Sequence, residues 1–426
     1  MIYLLVVYLL TPVFAHAYLD PGTGAVLVNL LLAGIATLAF FLKGVFFRII
    51  GKKQPAPKDS NTLATISIFS EGKQYWSSFE PVVTALIRKG IPFNYLTLDV
   101  HDPALTIENE LMISKFLGYG NVGLARVSRI KSPILLSTTP NIGTPGYPVQ
   151  KSPYVKRLVH VLHSLNDISW YKSGSLDHYD EVILGGDYQG KAITELEKLR
   201  NTKQKKLISL GLPYLDTLFE ERKRFERESK PESKQDKHTV LVGTSWGSKS
   251  LLNHYGTSFI KQLAVFGFDV IVRPHPQSFK SEIDKMNQIH KELSLLSNIH
   301  WDVSISPTES LSRADVLISD TSALRFDFAL VYEKPVITLD IPRESTKGYE
   351  RDDLTEVWMD RAAKDIGIVL EESQVKDIER HVSDVLQRDY QKKIQEYREE
   401  LLSNPGSSGD AIADYLSSLV ALEGEA

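Results

Sequence analysis

The sequence predicts an α/β protein built from two parallel-sheet halves. Apolar runs of strand length recur along the chain, helix-like stretches separate them, and a highly charged segment over 218–237 divides the series in two. Strands alternating with helices make βαβ units, and these require a parallel sheet. The length of 426 residues suits two or three domains with ample core.

The chain opens on an anchor expected over residues 1–56. Met1 to Ala17 is apolar and ends in Ala15-His16-Ala17, which reads as a cleavage site, although no positive charge precedes it. A second apolar run, Ala25 to Leu42, is long enough to span a membrane. Lys43, Arg48, Lys52 and Lys53 follow closely and place the rest of the chain in the cytoplasm, whether or not the first segment is removed. The expected location is the inner face of the cytoplasmic membrane. Tyr18 to Gly24 is turn-rich and has no functional reading.

After the polar linker Gly51 to Asn61, a first Rossmann-like half is expected over 57–217. Its strands are LATISIF, IPFNYLTL, Pro133 to Ser137, Arg157 to Leu162, Glu181 to Gly185 and Lys206 to Gly211, with a helix near Phe79 to Lys89. A charged helix and linker over 218–237 leads to a second half over 238–400. Its strands are Thr239 to Gly243, Phe268 to Val272, Val316 to Ile318 and Pro335 to Leu339. A closing helix is expected over 401–426.

Composition removes several classes of function. With no cysteine there are no disulfides, no thiolate catalysis and no cysteine-based zinc site. A net charge of −4 argues against a general nucleic-acid binder, and no nucleic-acid motif occurs. Neither a Walker motif nor a dinucleotide GxGxxG is present, so ATP and NAD are unsupported. No metal site stands out. Asp99, His101 and Asp102 read better as a turn than as ligands, which leaves room for a divalent cation but names no cofactor.

Two motifs carry the chemistry, RPHP at Arg273 to Pro276 and SDTSALRFDF at Ser319 to Phe328. Each follows a strand, so each lies where open parallel sheets bind ligands, at the carboxyl ends of the strands. Prolines after Arg273 and His275 stiffen that segment and hold an imidazole at a strand end. Asp320 or Thr321 suits a helix N-cap, with Ser322 and Ala323 opening the helix. A helix start with hydroxyls fits a phosphate, although, taken alone, the turn is better explained by a plain capped helix. Thr244, Ser245 and Trp246 follow a third strand and are expected on the same edge.

The segments VRPHP, ISDTSALRFDFAL and EKPVI, in that order and spacing, resemble the CDP-glycerol glycerophosphotransferase family, whose members prime and extend teichoic acids. The resemblance runs over roughly Leu158 to Leu339 and more weakly to NPGSSGDAIADYL. It implies the GT-B fold, with a CDP-donor domain in the second half and an acceptor domain in the first. It implies transfer of glycerol phosphate, or a related alditol phosphate, from a CDP-alditol to a hydroxyl of a glycan or lipid-linked acceptor, with CMP released. By the same resemblance His163 is the catalytic base and His275 the second catalytic histidine, on the donor phosphate. Thr321, Ser322, Thr244 and Ser245 bind the diphosphate. Arg273 either joins them or is a surface charge. Asp320, Asp327 and Trp246 support the site, Asp327 by orienting the turn from behind.

The chain also departs from that family. Leu162 and Ser164 flank His163 where the family has tryptophan and glycine, and Thr321 and Ala323 replace a tyrosine and a serine. Without the resemblance, His160 and His163 read as core histidines at a strand end. Two alternatives therefore stay open. One is a GT-B glycosyltransferase using a nucleotide-sugar, with Glu309 on a ribose. The other is a non-catalytic scaffold of envelope biosynthesis. In GLPYLD, Gly211 and Pro213 read as structural and Asp216 as a helix cap.

Overall fold

The computed structural model describes residues 64–228, 237–304, 306–341 and 348–424. All of them lie within one compact unit, Thr62–Ala426. The anchor expected over 1–56 lies outside the described residues. Among those described, no helix is long and apolar enough to cross a membrane.

The first sheet contains β1 (Ile66–Ser70), β2 (Phe93–Thr97), β3 (Met112–Phe116), β4 (Ile134–Ser137), β5 (Arg157–Val161), β6 (Glu181–Leu184) and β7 (Lys206–Ser209). Their order is β3-β2-β1-β4-β5-β6-β7, and every pairing is parallel. The second sheet contains β8 (Thr239–Gly243), β9 (Asp269–Arg273), β10 (Ile299–Trp301), β11 (Val316–Ser319), β12 (Val336–Leu339) and β13 (Gly367–Leu370). It runs β10-β9-β8-β11-β12-β13, again all parallel. Helices cover the faces, so β1, β4, β6, β8, β11 and β12 are buried along their whole length.

The sequence signals no strand at β3, β10 or β13. All three are sheet edges. β3 alternates between less and more exposed residues, β10 is only three residues long, and the middle of β13 is partly exposed. An edge strand needs no continuous apolar run, so the signal that marks its neighbours is absent.

Each sheet reverses its strand order once, between β1 and β4 in the first and between β8 and β11 in the second. At such a point the two crossovers leave in opposite directions and open a crevice beyond the strand ends. The fold thus supplies two crevices.

The charged run after Thr217 begins as a helix, Pro213–Glu228. Leu215 and Leu218 are buried, and the helix packs on both Trp76–Arg88 of the first half and Thr308–Arg313 of the second. Arg222 lies over the Tyr332 ring and donates to the Val331 carbonyl. The charged residues here are partly interface, because long side chains bury their stems while keeping a polar head.

The chain end returns to the first half. Ile412, Ala413, Leu416 and Leu419 of the helix Ser408–Gly424 are buried with Phe79, Val82 and Leu86. The GLPYLD segment is the dock for this return. Asp216 accepts from the backbone N–H of Ser408 at 3.1 Å and of Gly409 at 2.8 Å, so it caps the final helix. Gly211 has φ of +94°, and a Cβ there would lie 2.5 Å from the Ser403 carbonyl oxygen. Asp216→Ala is expected to lower stability by about 1–3 kcal/mol, the range for losing a cap and stranding buried donors. Gly211→Ala is expected to cost at least as much, because strain adds to the clash. Denaturant midpoints of the two variants check this.

Candidate active site

Asp320 is the hub of the second crevice. It is fully buried at the end of β11. Its Oδ1 accepts from the Ser245 N–H at 2.9 Å and the Ser322 N–H at 3.1 Å. Its Oδ2 accepts from the Ser245 hydroxyl and the Leu251 N–H, both at 2.8 Å. One carboxylate therefore ties the loop after β8 to the turn after β11. A carboxylate, with two acceptor oxygens and no donor, suits four donors converging on one buried point.

The turn departs from the expected cap. The helix runs Leu324–Tyr332, and neither Asp320 nor Thr321 caps it. Asp320 is drawn across to the β8 loop instead, and the Ser322 hydroxyl accepts from the Leu324 N–H at 3.3 Å. Behind the turn lies Arg325, which is 1 % exposed. Its Nε donates to the Ser322 carbonyl at 3.2 Å. Asp327 was expected in that bracing position. It instead accepts from the Tyr214 hydroxyl at 2.8 Å, joining the helix to Pro213–Glu228. Burial raises the Asp327 carboxyl to about 7, against the lowering effect of Tyr214.

His275 follows β9. Its Nδ1 accepts from the Gln277 N–H at 3.0 Å. The proton of the neutral ring is then on Nε2, so His275 offers a donor rather than a base. Burial lowers its pKa, and the Asp320 carboxylate opposes this in part. The Trp246 ring, half exposed, lies 6.4 Å from the imidazole. The loop carrying Trp246 is held by Glu282, which accepts from the Gly247 N–H at 3.1 Å and from Asn253 at 2.6 Å.

Two expected residues point elsewhere. The buried Arg273 pairs with Asp302 at 2.5 Å and donates to the Ser304 carbonyl at 2.8 Å. Its guanidinium braces the connection that follows β10. Glu309 is exposed on Thr308–Arg313 and pairs with Arg313 at 3.5 Å. Lys334 of the EKPVI segment is structural: its Nζ donates to the Ser312 and Ala314 carbonyls, both at 2.6 Å. It caps the end of that helix, and burial lowers it to about 8.

The first crevice holds the N-terminal histidines. His160 is fully buried in β5, with Nε2 3.2 Å from the Tyr171 hydroxyl and the Tyr179 ring 4.9 Å away. It is the core histidine that the residues alone suggest. His163 is different. It is partly exposed beyond the end of β5, between the edge of Tyr75 at 5.3 Å and the face of Tyr171 at 6.4 Å. Burial lowers it to about 4, so the ring is neutral at physiological pH. Its Nδ1 has no partner among the described residues. Asp99, His101 and Asp102 form a turn after β2, in which Asp99 accepts from the His101 N–H at 2.9 Å.

The connection after His163 joins the two halves. The Tyr171 carbonyl accepts from the Glu350 N–H at 2.8 Å, and Asp167 accepts from the Trp358 N–H at 2.9 Å. Trp170 donates to the Met359 sulfur at 3.0 Å. Arg200 pairs with Glu350 and Asp353, each at 2.5 Å. The loop leaving β5 in the first sheet is thus pinned to the segment following β12 in the second.

A family profile described as CDP-Glycerol:Poly(glycerophosphate) glycerophosphotransferase matches residues 172–399. The chain belongs to this glycerophosphotransferase family. It is a transferase with an α/β, GT-B-like fold. The matched stretch contains His275, Asp320, Thr321, Ser322, Arg325 and Asp327, while His163 lies just ahead of it.

Solved structures agree on the fold. The wall teichoic acid polymerase TagF is 15% identical, with 92% of this chain and 99% of that chain covered and a TM-score of 0.55. A UDP-GlcNAc 2-epimerase from Methanocaldococcus jannaschii is 14% identical, with coverage of 83% and 99% and a TM-score of 0.53. The enzyme of that type from Neisseria meningitidis is 12% identical, with coverage of 84% and 99% and a TM-score of 0.52. No curated protein matches the sequence.

The glycerophosphotransferase motifs thus sort by position. Thr244, Ser245, Trp246, His275, Asp320, Thr321 and Ser322 meet at the ends of the adjacent strands β9, β8 and β11. Sequence reasoning missed Arg325 behind the turn and Glu282 behind the Trp246 loop. It also missed Glu71, Tyr75 and Tyr147 around the first crevice. Only Glu71 carried a usable signal, since it directly follows a buried strand at a carboxyl end.

Proposed function

We propose that this transferase moves glycerol phosphate, or a related alditol phosphate, from a CDP-alditol to a hydroxyl on a cell-envelope glycan or lipid-linked acceptor. The second crevice takes the donor. Its diphosphate lies against the Thr321–Ser322 turn and receives a hydrogen bond from His275 Nε2. Thr244 and Ser245 border it from the β8 loop, and Arg273 acts indirectly by fixing the end of β9. The observation that carries this reading is the convergence of three adjacent strand ends on one buried carboxylate, Asp320.

In the reaction, the acceptor oxygen forms a bond to the β-phosphorus, and the bridging oxygen leaves with its electron pair as CMP. The acceptor proton passes to His163, working from Nε2. Such a transfer depends on positioning and on neutralising phosphoryl charge, so rigid loops and one well-placed donor are what the protein must supply. The apolar segments before Lys52 hold the enzyme at the inner face of the cytoplasmic membrane, where a lipid-linked acceptor would be within reach.

Incubation of the purified protein with CDP-glycerol, CDP-ribitol and UDP-sugars tests the reading. CMP release with a product heavier by one alditol phosphate is the expected result. UDP release would assign a sugar transferase, and no turnover of any donor would leave a scaffold.

The state of His163 makes a separate prediction. Its pKa is lowered on folding, so between pH 6.5 and about 4 the unfolded chain binds more protons than the native one. Stability therefore rises with pH across that window and is lost as pH falls through it, by at most about 3 kcal/mol from this group. His160, also lowered by burial and by its neighbour His163, acts in the same direction. Thermal midpoints measured from pH 4 to 7 are expected to climb less steeply for His163→Gln than for the parent. Equal slopes would mean that the ring is hydrated in the native state.

A further inference from the structure

The first crevice holds a polar cluster that neither the motifs nor the family profile reach. Glu71 follows β1, and Thr138 and Thr139 follow β4, so these residues flank the point where the first sheet reverses its order. Thr138 and Thr139 are buried, at 0% and 1% exposure. Glu71 is partly exposed above them and accepts from the Tyr147 hydroxyl at 3.4 Å. Tyr75, also partly exposed, lies edge-on to His163 at 5.3 Å.

Two polar atoms here are buried with no partner among the described residues, Thr138 Oγ1 at the end of β4 and His163 Nδ1 beside Tyr75. Orphaned polar atoms are rare in folded proteins, because each costs about 1–3 kcal/mol when it is stranded from water. Two such atoms beside a strand-order reversal, with Glu71 and Tyr75 partly exposed next to them, mark a place suited to receive hydroxyls. The charge is equally informative. Among the described residues, the groups acting on Glu71 are the Tyr147 and Thr139 hydroxyls, with no lysine or arginine.

We propose that this crevice binds the neutral polyol terminus of the acceptor, with Glu71 accepting a hydrogen bond from a hydroxyl of that terminus. A glycerol, ribitol or sugar end fits such a pocket. A terminal phosphate does not, since it would face the Glu71 carboxylate with no cation to offset the repulsion. Glu71 therefore sets specificity, and His163 lies beside the polyol. Burial raises the Glu71 pKa, and hydrogen bonds from Tyr147 and Thr139 oppose the rise. The proposal rests on the transferase reading above for the word acceptor, but the polyol site itself does not depend on the donor.

The test is binding without donor. Saturation-transfer NMR on the purified full-length chain would compare glycerol and ribitol with sn-glycerol 3-phosphate. The parent is expected to bind the neutral polyols in preference to the phosphate. Glu71→Gln is expected to weaken polyol binding by about tenfold, the size of one hydrogen bond to a charged group. The same substitution should narrow the discrimination against the phosphate, which loss of packing alone would not do. Tyr147→Phe, which removes only the hydroxyl beside Glu71, should weaken polyol binding less and serves as the second variant. Equal binding by the parent and Glu71→Gln, or a parent that prefers the phosphate, would overturn the site. Absence of CMP release in the donor assay would overturn the transferase reading instead, while the NMR result would still decide the polyol site.

Discussion

His275→Ala is expected to reduce CMP release from CDP-glycerol by about 10²–10³-fold in kcat, the usual effect of removing one preorganised donor to a charged transition state. The size follows from the tautomer. Because Nδ1 accepts from the Gln277 N–H, the ring presents Nε2–H without rearranging, and burial keeps it neutral. The KM for the donor should change far less than kcat, if the hydrogen bond strengthens as charge builds on the phosphoryl oxygens. His275→Gln should recover part of the loss, since an amide N–H can occupy a similar place. Steady-state kinetics of the three proteins decide it. A kcat within threefold of the parent for His275→Ala would remove this residue from the chemistry.

Asp320→Ala is expected to have the second large effect, on stability and on donor binding together. The substitution strands the Ser245, Leu251 and Ser322 N–H groups and the Ser245 hydroxyl. Each hydrogen bond to a charged group contributes about 1.5–3 kcal/mol, and partial relaxation leaves a net loss of about 3–5 kcal/mol. Asp320→Asn keeps the shape, but its amide turns an N–H toward donors, so it too should be destabilising. Calorimetric melting and the KM for CDP-glycerol are the measurements. If Asp320→Ala raised the donor KM without moving the melting temperature, the carboxylate would be a direct ligand rather than the hub of the loops.

These two residues show how a short motif divides its labour. In SDTSALRFDF, Asp320 organises the loops, the Ser322 hydroxyl accepts from the Leu324 N–H, Arg325 braces the turn and Asp327 reaches back to Tyr214. Only Thr321 and part of Ser322 are left to face a ligand. Arg325 is easily misread in a sequence, because an arginine beside a phosphate-type motif suggests an anion. Its near-complete burial against the Ser322 carbonyl gives it a different task.

What the sequence determined by itself was the succession of buried strands, their parallel pairing and the placing of His275 and Thr321–Ser322 at strand ends. These are local signals: an apolar run, a proline-stiffened turn and a small polar segment each declare themselves within ten residues or so. What only the tertiary structure decided was partnership. Arg273 turned out to be held by Asp302, Asp327 by Tyr214, Asp216 by the final helix, and Glu71 to share a crevice with His163's neighbour Tyr75. Hydrogen bonds and desolvation depend on which groups meet in space, and residues far apart along the chain carry no local mark of that meeting.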